Sequence, residues 1–220
     1  MMPNVRQFVE VVVKAIDLAE PIVEIGSYLT SGQEELSDLR GLFSEKKYLG
    51  CDLRRGPGVD QIENAEKLSF KSNSIGTIIM LETLEHIQNP VQAADEIYRV
   101  LKKDGIVILS TVMNFQIHEF PHDYWRITPQ GMEYLLKKFP QKVIGCQGEQ
   151  IDNPFSVFGV GFKKNDPPAV KKLLRLLKQN QHRIKGRKPW RHRLFYTCHF
   201  VKKALTELNH QYYIDFYKPR

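Results

Sequence analysis

Four short apolar runs organise the first half of the chain. Ile22-Val23-Glu24-Ile25 is stopped by Gly26, and Lys47-Tyr48-Leu49-Gly50-Cys51 ends at Asp52. Gly76-Thr77-Ile78-Ile79-Met80-Leu81 runs into Glu82-Thr83-Leu84-Glu85-His86, and Ile106-Val107-Ile108-Leu109-Ser110-Thr111 follows Lys102-Lys103-Asp104-Gly105. Apolar runs of this length bounded by turn residues read as buried strands. Val59–Ile62 adds a shorter strand. Between the runs the apolar positions shift to helical spacing. Helices are predicted over 4–19 with Asn4 as N-cap, over 31–44 with Ser31 and Glu34 as a capping box, and over 90–101 opened by Pro90. A further helix over 129–139 is capped by Thr128. Two β-type runs, Lys142–Gly148 and Phe155–Phe162, then read as a terminal hairpin. Strands alternating with helices predict an α/β fold: a doubly wound, mostly parallel sheet with an antiparallel terminal hairpin strand.

Open parallel sheets bind ligands beyond the carboxyl ends of their strands, and Gly26, Asp52 and Glu82 all fall there. The pieces Glu24-Ile25-Gly26-Ser27, Asp52, Asn64-Ala65-Glu66-Lys67-Leu68-Ser69-Phe70, Leu84-Glu85-His86-Ile87 and Arg99-Val100-Leu101-Lys102-Lys103-Asp104-Gly105 follow in order. Together they resemble a class I S-adenosylmethionine-dependent methyltransferase of the small-molecule type, over roughly residues 20 to 160. The resemblance implies a Rossmann-like fold and S-adenosylmethionine as cofactor. It implies a binding site at Glu24, Gly26, Ser27, Asp52, Leu53, Asn64, Ala65, Glu66, Leu81 and Glu82. Asp52 takes the family's ribose-binding place, where a carboxylate accepts both hydroxyl protons. Asn64 takes the adenine-facing place, with an amide that both donates and accepts. Glu24 stands where the family orients the methionine end of the cofactor. Tyr28 replaces the second glycine of the family's glycine loop, and Gly32 comes late, so the loop has a different shape.

The segment after the fourth run, Asn114 to Pro129, has no period. It packs His118, His122, Asp123, Tyr124, Trp125 and Arg126 into a stretch that should overhang the strand ends. Long irregular loops of this kind usually carry function. His118, Tyr124, Trp125 and Arg126 are the expected acceptor-binding residues; His122 and Asp123, with His86 after Leu84-Glu85, are the expected catalytic ones. A P-x-D-Y-W-R-x-T-P-like run recurs in a subset of the resembled methyltransferases. Two structural readings stand beside these roles: Tyr124 and Trp125 packing under the next helix, and Arg126 pairing with Asp123 as a clasp. No metal is expected, because His118 and His122 lack a clear third ligand.

Charge changes the picture after residue 165. Residues 166–220 hold 14 Lys or Arg against 3 Asp or Glu, out of 32 and 25 in the whole chain of 220 residues. Two helical stretches, Val170–Lys178 and Trp190–Leu208, lie in this segment. The organisation expected is a methyltransferase domain over 1–165 and a basic helical C-terminal extension over 166–220. A surface of this sign is expected to meet an acidic partner, a membrane or a nucleic acid, or to stay a solvated cap. The expected activity is methyl transfer to a small-molecule or glycan- or lipid-linked acceptor. The alternatives are a cofactor-binding module of the same fold and a nucleic-acid methyltransferase using the basic tail. No apolar run approaches the ~18 residues of a membrane span. The first 20 residues read as an amphipathic helix rather than a leader. Cys51, Cys146 and Cys198 are scattered, with no metal spacing, as expected of free thiols in a reducing cytoplasm.

Overall fold

In the computed structural model, which describes residues 1–118, 122–150 and 153–184, seven strands form one sheet in the order β3-β2-β1-β4-β5-β7-β6. They are β1 (Ile22–Ile25), β2 (Tyr48–Asp52), β3 (Gln61–Ile62), β4 (Ile75–Leu81), β5 (Leu101–Val112), β6 (Gln141–Gln150) and β7 (Asn153–Phe162). The first five run parallel; β7 pairs antiparallel with β5 and with β6, the terminal hairpin expected from sequence. The order reverses between β1 and β4, the switch point where such sheets open a crevice.

Period-two alternation divides the sheet into two faces. Val23, Ile25, Ile78, Met80, Val107 and Leu109 pack with α3 (Pro90–Val100) and α4 (Pro129–Leu135). Ile22, Ile79, Leu81, Ile106 and Ile108 pack with α1 (Pro3–Ala15) and with Leu173 of α5 (Pro167–Ile184). All seven β4 residues are buried, as the centre of a two-sided sheet requires. The α1 face is Val5, Phe8, Val9, Val12 and Ala15, with Phe8 ring-to-ring on Phe158 at 4.5 Å. Each of the large side chains contributes about 2 kcal/mol of transfer free energy.

Three helices depart from expectation; α4 ends at Leu135 rather than 139. Helix α1 ends at Ala15 rather than 19. The carbonyls beyond it are taken by distant donors instead of by the next helical turn: Leu18 by Lys46 Nζ, Ala19 by the Thr77 hydroxyl, Glu20 by Lys102 Nζ. The region 31–44 holds only α2 (Glu34–Ser37) and a 3-10 turn, Arg40–Phe43, and Ser31 caps neither. Here Arg6 collects the carbonyls of Leu36 and Asp38, and only Leu39 and Phe43 are buried in the core, with Leu42 half-buried beside them. An apolar stripe that small does not hold a longer helix. Asn4 caps nothing: the helix already starts at Pro3, with Met2 before it, and the Asn4 side chain donates to Ser156 instead. Thr128 caps as read, its Oγ1 accepting from Gly131 N–H at 3.0 Å, and Asn89 Oδ1, not anticipated, accepts from Gln92 N–H at the start of α3.

The chain forms one compact unit over Met1–Asn180. The start of the basic segment belongs to it, since Leu173 is fully buried and Ala169, Val170 and Leu177 pack beside it. Lys171, Lys172, Arg175 and Lys178 are exposed on the same helix. The expected helix Trp190–Leu208 lies outside the described residues. No helix among the described residues is long and apolar enough to cross a membrane.

Candidate functional site

A cleft of about 1090 Å³ opens at the carboxyl ends of β1, β2 and β4. That volume is enough for a nucleoside-sized ligand with a second molecule beside it. Its lining includes all ten expected cofactor residues, from Glu24 to Glu82.

The turn after β1 is built by close backbone approach. Gly26 has φ +87°, and a Cβ there would lie 2.1 Å from Thr83 Oγ1. Gly26 and Ser27 N–H both donate to the Cys51 carbonyl, which ties the turn to β2. Tyr28 does not obstruct the turn. Its ring lies against Gly56, where a Cβ would meet it at 2.2 Å, and under the Arg54 guanidinium at 4.1 Å. The Leu29 N–H donates to the Pro57 carbonyl and the Ser27 hydroxyl to the Gly58 carbonyl. The room that the family's second glycine makes is supplied here by glycines of the β2–β3 loop.

Asp52 ends β2 at 8% exposure. Its Oδ1 accepts from the Arg54 N–H and Nε, and its Oδ2 takes one long contact from Tyr28 N–H, 3.4 Å. Oδ2 thus keeps accepting capacity toward the cleft. Leu53 beside it is 59% exposed, a bare apolar surface on the cleft wall. Asn64 is exposed and turns its Oδ1 to Glu66 N–H, while Ala65 is buried beneath. Glu66 fastens this turn to α3 by accepting from Asn89 N–H.

Glu24 is buried on the α1 face and accepts a hydrogen bond from the Tyr48 hydroxyl. Burial raises its carboxyl to about 7, against the lowering effect of Tyr48. A carboxyl raised on folding loses stability as pH climbs from its ordinary 4.5 to that value, and the loss is complete above it. Glu24→Gln is therefore expected to flatten the fall in melting temperature between about pH 5 and pH 7. Unfolding scans at several pH values check this; an unchanged slope counts against the buried carboxyl as its source.

The second wall of the cleft comes from the β4 end and the loop after β5. Leu84–His86 form a 3-10 turn. The N–H groups of Tyr124 and Trp125 donate to the Glu85 carbonyl, the Trp125 indole to the Ile87 carbonyl, and His86 Nδ1 pairs with the His122 carbonyl. His86, His118, His122 and Tyr124 line the cleft with Phe115. Asp123, Trp125 and Arg126 are not part of that lining. All five guanidinium donors of Arg126 are used: Nε on the Phe115 carbonyl, Nη1 on Asp123 Oδ1 and the Trp125 carbonyl, Nη2 on Asp123 Oδ2 and the Gln116 carbonyl. This is the clasp arrangement. It holds the Asp123 carboxyl far below the usual carboxylate range.

Glu85 was not singled out by the sequence reading. It is fully buried, accepts from the Thr111 hydroxyl at 2.9 Å through Oε2, and burial raises it to about 7. Burial also raises the Glu82 carboxyl, whose backbone stands at φ +46°. Its Oε2 accepts from the Met2 N–H, so the segment before α1 covers this end of the cleft. A positive φ at a glutamate is uncommon and marks strain held by its surroundings. The pattern Glu-x-x-Glu-His after an apolar run was the available signal for both acids.

Residues 12–109 match the family model described as methyltransferase domain. Over that stretch the chain is similar to a methyltransferase domain. The strand order is that of a Rossmann-like methyltransferase fold. A SAM-dependent methyltransferase from Archaeoglobus fulgidus superposes with a TM-score of 0.56 at 10% identity, covering 72% of this chain and 92% of that one. A SAM-dependent methyltransferase from Methanosarcina mazei superposes at 0.51 with 14% identity, covering 71% and 98%. Among curated proteins, none matches the sequence.

Proposed function

We propose that this methyltransferase domain binds S-adenosylmethionine across Gly26, Asp52, Leu53 and Asn64. It transfers the methyl group to a small-molecule or glycan- or lipid-linked acceptor held against the loop after β5. The observation that carries the reading is a single cleft with two unlike walls. One wall is the tight glycine turn with a strand-end carboxylate and a bare leucine. The other is a set of aromatic and ionisable side chains, His86, His118, His122 and Tyr124. A nucleoside suits the first: Asp52 Oδ2 offers a ribose acceptor, and Leu53 a flat apolar contact for a base.

The cofactor supplies an activated methyl group on a sulfonium. The protein's share is alignment and exclusion of water. Tyr124 and Phe115 provide apolar walls, and the His122 imidazole lines the cleft as the candidate general base. The exposed basic face of α5 favours an acceptor carried on an acidic surface.

Turnover with methyl-labelled S-adenosylmethionine and extracts of small molecules, lipids and glycans tests the reading. Labelled product is expected in one class. His122→Ala should keep cofactor affinity and lose at least about tenfold in turnover, roughly 1.4 kcal/mol of transition-state stabilisation. Cofactor binding without turnover on any class favours the second reading, a cofactor-binding module.

A further inference from the structure

We propose that Glu85, His86 and His118 form a binding site for one divalent cation, in the same cleft and beside the acceptor wall. Three observations converge. One ligand atom from each of the three residues lies within 4.8 Å of the others. Metal bonds of about 2.1 Å put tetrahedral ligand atoms about 3.4 Å apart, so the cluster needs to close by up to about 1.4 Å on the ion. Second, Glu85 Oε1 is a buried oxygen with no hydrogen-bond partner, on a side chain that is 0% exposed. Buried carboxylate oxygens are almost always paired or bound to a cation. Glu82 Oε1, on the same wall, is the other such oxygen among the described residues.

Third, the imidazoles are already oriented as metal ligands usually are. His86 Nδ1 meets the His122 carbonyl. His118 Nδ1 lies 3.2 Å from Asp123 Oδ2 and 3.3 Å from the Gln116 carbonyl. Each Nδ1 therefore carries the proton, which leaves the Nε2 lone pair for a cation. The Asp123 carboxylate beside His118 fixes the tautomer and orientation of that ring. The Arg126 clasp gains a purpose from this, since it holds the carboxylate that orients His118.

One carboxylate and two imidazoles form a mixed oxygen and nitrogen set. It suits Mn²⁺, Co²⁺ or Zn²⁺ better than Mg²⁺ or Ca²⁺, which prefer all-oxygen shells. Three protein ligands leave a position open for an acceptor oxygen. In the proposed methyl transfer, on which only this role rests, a bound acceptor hydroxyl loses its proton to His122. Its oxygen bonds to the methyl carbon as the carbon–sulfur bond breaks, and that electron pair stays on sulfur. The substrate class is thus an oxygen acceptor.

The test is Co²⁺ binding to tag-free, chelator-stripped full-length protein, read by the cobalt absorption bands and by metal analysis after dialysis. One Co²⁺ per chain is expected, undisplaced by excess Mg²⁺. Glu85→Gln and His118→Ala should each weaken it at least about tenfold. Circular dichroism accompanies both; His118 sits on the loop, so its variant reports even where Glu85→Gln fails to fold. Absence of stoichiometric uptake at millimolar Co²⁺, or equal uptake by wild type and both variants, overturns the site. S-adenosylhomocysteine binding is measured on the same samples. Cofactor binding without Co²⁺ uptake removes the cation and leaves the methyl-transfer reading standing.

Discussion

Gly26→Ala is expected to cost about 3 to 5 kcal/mol and to remove measurable cofactor affinity. Two terms add. A non-glycine residue at φ +87° is strained by about 1–2 kcal/mol. The new Cβ would also stand 2.1 Å from Thr83 Oγ1 and 2.9 Å from Thr83 Cγ2, closer than real contacts allow. Thr83 has little freedom to retreat, because its hydroxyl donates to the Leu81 carbonyl at 2.8 Å. The turn would have to lift off β2, breaking the bonds from Gly26 and Ser27 to the Cys51 carbonyl. Adding Thr83→Ala removes the two nearest atoms and should recover about half of the loss, leaving the backbone strain. Denaturant unfolding of the two single variants and the double variant measures this. A Gly26→Ala protein of wild-type stability would contradict the turn geometry.

Breaking the clasp is the other large effect. Arg126→Ala leaves Asp123, only 3% exposed, without its charged partner. Stranding a buried carboxylate costs about 3 kcal/mol. The loss should be local first, with faster protease cleavage within 114–128 ahead of global unfolding. Arg126→Lys should not restore it, since an ammonium offers three donors at one point where five are used in a planar fork. Asp123 is held below its ordinary 3.8, so the clasp contributes fully above that value and is lost only as pH falls through its lower folded value. Loop protection should therefore be flat from about pH 5 to pH 8. Cleavage rates equal to wild type in Arg126→Ala would show that the five hydrogen bonds do not hold the loop.

The parts of this molecule set by short-range pattern were readable. β1, β4 and β5 announce themselves as apolar runs, and Gly26 and Asp52 sit where such runs stop. What was not readable depends on partners far along the chain. Glu85 looks like a surface acid in Leu84-Glu85-His86 until β5 brings Thr111 to it. Tyr28 looks like damage to the glycine turn until Gly56 and Gly58 are seen to make its room. The helix expected over 31–44 fails because Arg6, some 30 residues earlier, takes the carbonyls it needed. Sequence raised Arg126 both as a ligand for an anionic acceptor and as a clasp; only the count of its donors separates the two. His118 found no third metal ligand in its own segment, because the candidates come from the end of β4.

Calorimetric titration with S-adenosylhomocysteine tests most directly whether this cleft holds the cofactor. The account predicts one site per chain for the wild type. It predicts a loss of about 1.5 to 3 kcal/mol in Asp52→Ala, the worth of a charge-assisted hydrogen bond to the ribose, with the fold intact. Absence of binding by the wild type, or an affinity unchanged in a folded Asp52→Ala protein, would contradict it.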